Sequence, residues 1–152
     1  MATASKQSGF SVLEILIVIA ILGILISIAI PAYENYRDKK NYTQAKTDIL
    51  EIQGVIDRFY IENNRFPDSL SEVNQDGRRD PWGGSYYFTN ITNGTNKGGV
   101  RKDKNLTPVN SDYDLYSAGK DQKTSLPFTA KASLDDIVRC NNGSFIGLAI
   151  DY

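Results

Sequence analysis

Gly9-Phe10-Ser11-Val12-Leu13-Glu14-Ile15-Leu16-Ile17-Val18-Ile19-Ala20-Ile21-Leu22-Gly23-Ile24-Leu25-Ile26-Ser27-Ile28-Ala29-Ile30-Pro31 is the stretch on which the reading of this chain turns. From Ile15 to Ile30 only Gly23 and Ser27 interrupt an apolar run. As a helix, Phe10 to Ile30 would be roughly 30 Å long, the thickness of a bilayer's hydrocarbon core. Pro31 lacks a backbone N–H and predicts a kink or a local weakening there. Residues 1–9, before the run, are short and hydrophilic, with one Lys.

Glu14 is the residue that needs explaining. A carboxylate among Val12, Leu13, Ile15 and Leu16 costs about 2.5–3.5 kcal/mol on insertion scales. It needs a partner, and no Lys or Arg lies between Phe10 and Tyr36. An ordinary secretory signal is cut after its apolar stretch. A cut between Gly9 and Phe10 would instead keep the helix, make Glu14 its fifth residue and create an amino group at Phe10. That amine on one subunit could pair with Glu14 of a neighbour. Two desolvated charges would then be relieved by assembly, and the pair would set subunit register. The alternative is a signal anchor whose Glu14 snorkels to the headgroups. The residues by themselves leave both readings open.

Beyond Pro31 the pattern changes solvent. Ala45, Ile49, Ile52, Ile56 and Phe59 recur at spacings of four and three, with Lys46, Asp48, Glu51, Asp57 and Arg58 between them. This is one apolar stripe on a solvated helix. Gly54 weakens it, and the helix is expected to end near Asn63-Asn64, before Phe66-Pro67. Ser69 to Val73 reads as a short helical turn and Asp80-Pro81-Trp82-Gly83-Gly84 as a turn. Strands are expected at Ser85–Thr89, Tyr113–Ser117 and Phe145–Ile150, with residues 90–110 as an exposed connection. The fold class that follows is α+β: a long N-terminal helix packed against a small antiparallel β-sheet. Its parts are a leader at 1–9, a transmembrane helix at 10–30, an amphipathic continuation at 31–64 and a β-rich globular region at 65–152.

Composition narrows the function. Seventeen Lys plus Arg against eighteen Asp plus Glu give a net charge of −1 and no general attraction to nucleic acid. The pairs Arg78-Arg79 and Arg101-Lys102 read as solvated loop charges. The absence of His removes the usual general base and the commonest zinc ligand. Cys140, the only cysteine, reads as a small packed residue. A membrane-anchored enzyme would need a carboxylate or Ser–Lys mechanism, and nothing at recognisable spacing supplies one. A membrane-tethered module for binding DNA is disfavoured by the charge balance. Trp82 and the tyrosines read as packing residues. Asn90-Ile91-Thr92 and Asn93-Gly94-Thr95 match glycosylation acceptors.

The segment from Gly9 to Leu25 resembles the prepilin class of signal. That resemblance implies a pilin-like subunit. A dedicated prepilin peptidase would cut after Gly9 and methylate Phe10, and Glu14 would be the assembly residue. Pro31 falls where that family carries a helix-weakening proline. The implied partners are copies of the same chain in a homo-oligomeric filament, other pilins or pseudopilins, the peptidase, an inner-membrane assembly platform and membrane lipid, with no specific nucleic acid. The implied location is the bacterial inner membrane, single-pass, with the globular part in the periplasm before assembly there or at the cell surface. Arg37, Lys39 and Lys40 lie beyond the run and Lys6 alone before it. A charge count would place the opposite end in the cytoplasm, whereas the family keeps the leader there.

Two segments resemble the major pseudopilins of type II secretion: Asp80-Pro81-Trp82-Gly83, and Tyr113 to Asp121 followed by Asp135-Asp136-Ile137. This implies a pseudopilus that drives protein export. The alternative is a type IV pilus major or minor pilin serving adhesion, motility or DNA uptake. The resemblance also implies Ca2+, held by the side chains of Asp121, Asp135 and Asp136 and the backbone oxygens of Leu115 and Ser117. Clustered carboxylates and turn carbonyls suit an ion that takes six to eight oxygens. The chain departs from that pattern at Gln122, where the family has glycine, and in the longer stretch Lys123 to Leu134 with Pro127. The competing reading is that Asp135-Asp136 caps a turn and Asp121 is solvated.

Overall fold

The computed structural model describes residues 9–94 and 98–152. Residues 1–8, most of the expected leader, and Thr95 of the second glycosylation acceptor lie outside the described residues. The chain divides into two compact units, Met1–Lys39 and Lys40–Tyr152.

Helix α1 spans Val12–Asn63. It continues through Pro31, whose missing N–H leaves the Ser27 carbonyl without its helical donor. The Ser27 hydroxyl donates back to the Ile24 carbonyl at 2.7 Å. The large apolar residues from Phe10 to Ile30 are all between 46% and 83% exposed. The segment is long and apolar enough to cross a membrane. A helix apolar on every side finds no core within its own unit, so lipid or other helices must cover it.

In the second unit the expected stripe is where the sequence puts it: Ala45, Ile49, Ile52 and Ile56 are fully buried. Each isoleucine taken from water contributes roughly 1.5–3 kcal/mol. They pack with Leu70, Val73, Tyr86, Tyr113, Leu115 and Ile137. The helix stops at Asn63, and Asn64 follows in the left-handed region at φ +53, a conformation asparagine tolerates at a helix end. Leu70–Val73 forms a 3-10 turn.

Asp48 differs from expectation. It is buried, and its carboxylate accepts from Gln44 Nε2 at 2.9 Å, Tyr86 Oη at 2.8 Å and Arg78 at 2.5 Å. Helical periodicity placed it between core positions, but donors from two other segments make its burial tolerable. Arg78 is therefore an inter-element bridge, also reaching Glu51, and no solvated loop charge.

Strands β1 (Tyr86–Asn90), β2 (Tyr113–Ser117), β3 (Ile137–Cys140) and β4 (Phe145–Leu148) form an antiparallel sheet in that order. Phe88 pairs with Leu115, Tyr116 with Val138, and Cys140 with Phe145. The expected third strand is β4, shortened because Ala149–Asp151 turns into a 3-10 helix. The strand missing from the sequence reading is β3. All four of its residues are buried, so it shows no alternation, and Arg139 disguises it further. Ile137 faces the core on α1, while Val138 and Cys140 join a second cluster with Val109, Phe128 and Ala149. Loops thus cover the sheet face opposite the helix. Residues 90–110 are no exposed connection throughout, because Val100, Arg101, Val109 and Asn110 are buried.

Gly54 sits on the exposed side of α1, and a Cβ there would meet no heavy atom within 4 Å. Gly54→Ala is expected to stabilise the fold by about 0.5–1 kcal/mol. The check is the midpoint of urea unfolding; a lowered midpoint would show that the position needs glycine for another reason.

Candidate functional site

The N-terminal signal is built on a reciprocal cap. The Ser11 carbonyl accepts from the Ile15 N–H, which makes Ser11 the residue before the helix. Its hydroxyl accepts from the Glu14 N–H at 3.2 Å, and the Glu14 carboxylate accepts from the Ser11 N–H at 2.7 Å. This is the capping box: two orphan donors of the first turn satisfied by two side chains three residues apart. The Ser-x-x-Glu spacing that closes this box is written in the sequence itself. Gly9 and Phe10 lie just outside the helix and are exposed, so the Gly9–Phe10 peptide is accessible. The acid also favours the positive end of the helix dipole.

In the second unit polar groups concentrate where β2 runs into the loop before β3. The Asp80 carboxylate organises the preceding turn. One oxygen accepts from the Trp82 N–H at 3.1 Å and the Gly84 N–H at 2.7 Å, while the other accepts from Ser117 Oγ at 2.6 Å. Gln122 stands at φ +55, and its amide donates to the Gly119 carbonyl at 2.6 Å and to Asp80 at 3.2 Å. The side chain lies directly over Gly84, where a Cβ would collide with it. The departure from glycine at Gln122 thus costs a left-handed backbone but adds a staple between two loops.

Arg101 was expected in solvent and is 2% exposed. Its Nη2 donates to Asp136 Oδ2 at 2.6 Å and its Nη1 to Thr124 Oγ1. Its guanidinium lies over the rings of Tyr116 and Phe128, 4.3 Å and 4.8 Å from their centroids. Its backbone N–H donates to Asp114 at 2.6 Å. Burial pushes the Asp136 carboxyl up to about 6, against the pull of Thr124 and Arg101. No local signal in the sequence marked Arg101, whose partner lies 35 residues away. Burial likewise pushes the Cys140 thiol up to about 12, so it packs as the inert residue the sequence suggested. Trp82 packs on Tyr42, and Tyr113 lies between Phe66 and Phe88. Asn90 is no accessible glycan acceptor: it is buried, and its amide donates to the Pro67 carbonyl at 2.9 Å.

Residues 4–30 match the family described as the prokaryotic N-terminal methylation motif. The type II secretion system core protein G of Pseudomonas aeruginosa is 30% identical over 140 residues, covering 78% of this chain and 87% of the relative. The chain belongs to the type II secretion core protein G family. The core protein G of Escherichia coli K12 is 28% identical over 142 residues, covering 80% of this chain and 87% of the relative. That of Klebsiella pneumoniae is 27% identical over 139 residues, covering 87% and 93%. No solved structure matches the chain.

For this member of the core protein G family, the three carboxylates expected to hold calcium are divided between separate tasks, and the side chains of Leu115 and Ser117, which were expected to lend only backbone oxygen, are otherwise engaged. Asp136 turns inward to Arg101 and Thr124. Ser117 spends its hydroxyl on Asp80 and the Gly119 N–H. Leu115 lies mid-strand with its side chain in the core. Only Asp121 and Asp135 meet, and they do so through a hydrogen bond from the Asp121 N–H to Asp135 Oδ2 at 3.1 Å. Asp121 Oδ1 accepts from the Lys123 N–H at 2.8 Å. Among the described residues no group of three or more His, Cys, Asp or Glu is placed to hold a metal. The three expected carboxylates, Asp121, Asp135 and Asp136, are thus not gathered into one set, because Asp136 is turned to Arg101.

Proposed function

We propose that the chain is a non-catalytic structural subunit of a type II secretion pseudopilus, the filament that drives protein export. Its mature form begins at a methylated Phe10 after prepilin cleavage, and it assembles with copies of itself and with other pseudopilins. The observation that carries this reading is the helix from Val12 to Ile30, apolar on all sides, with one carboxylate at Glu14 and no cover within its own unit. Such a surface is completed by lipid before assembly and by neighbouring helices after it. The family match over residues 4–30 supports the processing, and the likeness to core protein G across most of the chain supports the pseudopilus over a surface pilus. The remaining roles follow as parts of the same reading: a peptidase acting at Gly9–Phe10, an assembly platform in the inner membrane, and a globular unit on the periplasmic side.

Mass spectrometry of the mature chain tests it. The expected N-terminus is methylated Phe10. A chain that keeps Met1, or one cut after Ala29, overturns the reading.

A further inference from the structure

We propose that the Arg101 guanidinium is the built-in cation of this domain, taking the place of a divalent ion in holding the loops between β2 and β3. The inference stands apart from the filament reading and concerns only how the globular unit is closed.

The long connection after β2 has no disulfide to hold it, since Cys140 is the only cysteine. A positive centre is one way to pin such a loop, and here a guanidinium occupies that place. It joins three segments that are distant in sequence. Arg101 reaches Thr124 and Asp136 through its side chain and Asp114 through its backbone. The strands of chain beside it are tied in register: the Lys102 N–H donates to Leu126 O at 3.1 Å, and the Phe128 N–H donates to Lys102 O at 2.9 Å.

Arg is suited to the task because its planar fork binds carboxylate while its faces stack on rings. Tyr116 and Phe128 supply those rings. A divalent ion needs six to eight oxygens, and it would be repelled by a fixed guanidinium a few ångströms away in a poorly screened site. Asp136 Oδ2 is held by Arg101 at 2.6 Å and by Thr124 at 2.7 Å, with the Arg101 and Asp136 side chains almost completely buried, while Asp136 Oδ1 is buried without a hydrogen-bond partner among the described residues. The loop that the family resemblance would close with an external ion is therefore closed by the chain's own charge.

The test is thermal unfolding of the full chain in detergent micelles, followed by near-ultraviolet circular dichroism, with millimolar Ca2+ and with a chelator. The expected wild-type result is the same midpoint in both. A rise of several degrees with Ca2+ overturns the proposal. Arg101→Met strands the Asp136 charge and is expected to lower the midpoint by roughly 10–20 °C. Arg101→Met with Asp136→Asn removes both charges and is expected to recover a large part of that loss. An Arg101→Met midpoint equal to wild type also overturns the proposal. Should neither variant fold, the wild-type comparison between Ca2+ and chelator decides it.

Discussion

A Glu14→Ala subunit is expected to be cut and methylated at Phe10 yet to leave almost no filament, a loss on the order of a hundredfold. The magnitude follows from the cost of one carboxylate in lipid, which the proposed assembly relieves by bringing the acid to an amine, since no Lys or Arg lies between Phe10 and Tyr36. The capping box complicates the interpretation in a useful way. Alanine removes both the charge and the bond to the Ser11 N–H, so it cannot separate them. Glu14→Gln can, because a glutamine at this position also closes a capping box while carrying no charge. If register is set by an ion pair, the Gln subunit fails to polymerise as the Ala subunit does. If the acid serves only to start the helix, the Gln subunit assembles normally. Ser11→Ala supplies the opposite control, with a cost of about 0.5–2 kcal/mol confined to the helix start. Quantifying sheared or overproduced filaments by immunoblot measures all three. Assembly of Glu14→Ala at the parental level would remove the electrostatic basis of the proposed mechanism.

The largest effect on folding is expected at Gly119. It follows β2 at φ +65, and a Cβ there would lie 2.2 Å from the Asp135 carbonyl oxygen and 2.7 Å from its carbon. Those are backbone atoms, so nothing flexible can swing aside. Moving Asp135 also moves Asp136, whose carbonyl accepts from the Ala149 N–H at 2.9 Å and whose carboxylate holds Arg101. Gly119→Ala combines left-handed strain with overpacking, for a loss of about 3–4 kcal/mol. Gly83→Ala isolates the first part, since Gly83 has φ +92 but no heavy atom within 4 Å of a Cβ. Urea melts of the two variants give the difference. If Gly119→Ala unfolds no earlier than Gly83→Ala, the close approach to Asp135 carries no energetic weight.

The parts of this molecule that were legible early are those specified within a few residues. The apolar run needed only its length, and the stripe from Ala45 to Ile56 only a period. The end of α1 at Asn63 followed from the asparagines and Pro67, and β2 was read to its ends. The cap on Ser11 and Glu14 belongs to the same class, since both residues lie within one turn. What stayed hidden are the buried charges. Asp48 meets Arg78 across 30 residues, Asp112 meets Arg139 across 27, and Asp136 meets Arg101 across 35. A charged residue inside a strand or loop reads as solvent-facing until its partner is known, because burial is tolerable only when the pair is made. The same logic concealed β3, where Arg139 donates to Asp112 and lies over Tyr113.

Sequence alone therefore determined the long apolar helix, its acid, the amphipathic continuation and three of the four strands, since each is written in local periodicity or turn chemistry. Tertiary structure alone decided which charges go inside, and with them the fate of the aspartates beyond β2. The reason is that an ion pair's worth depends on distance and desolvation in three dimensions, and neither has a signature along the chain.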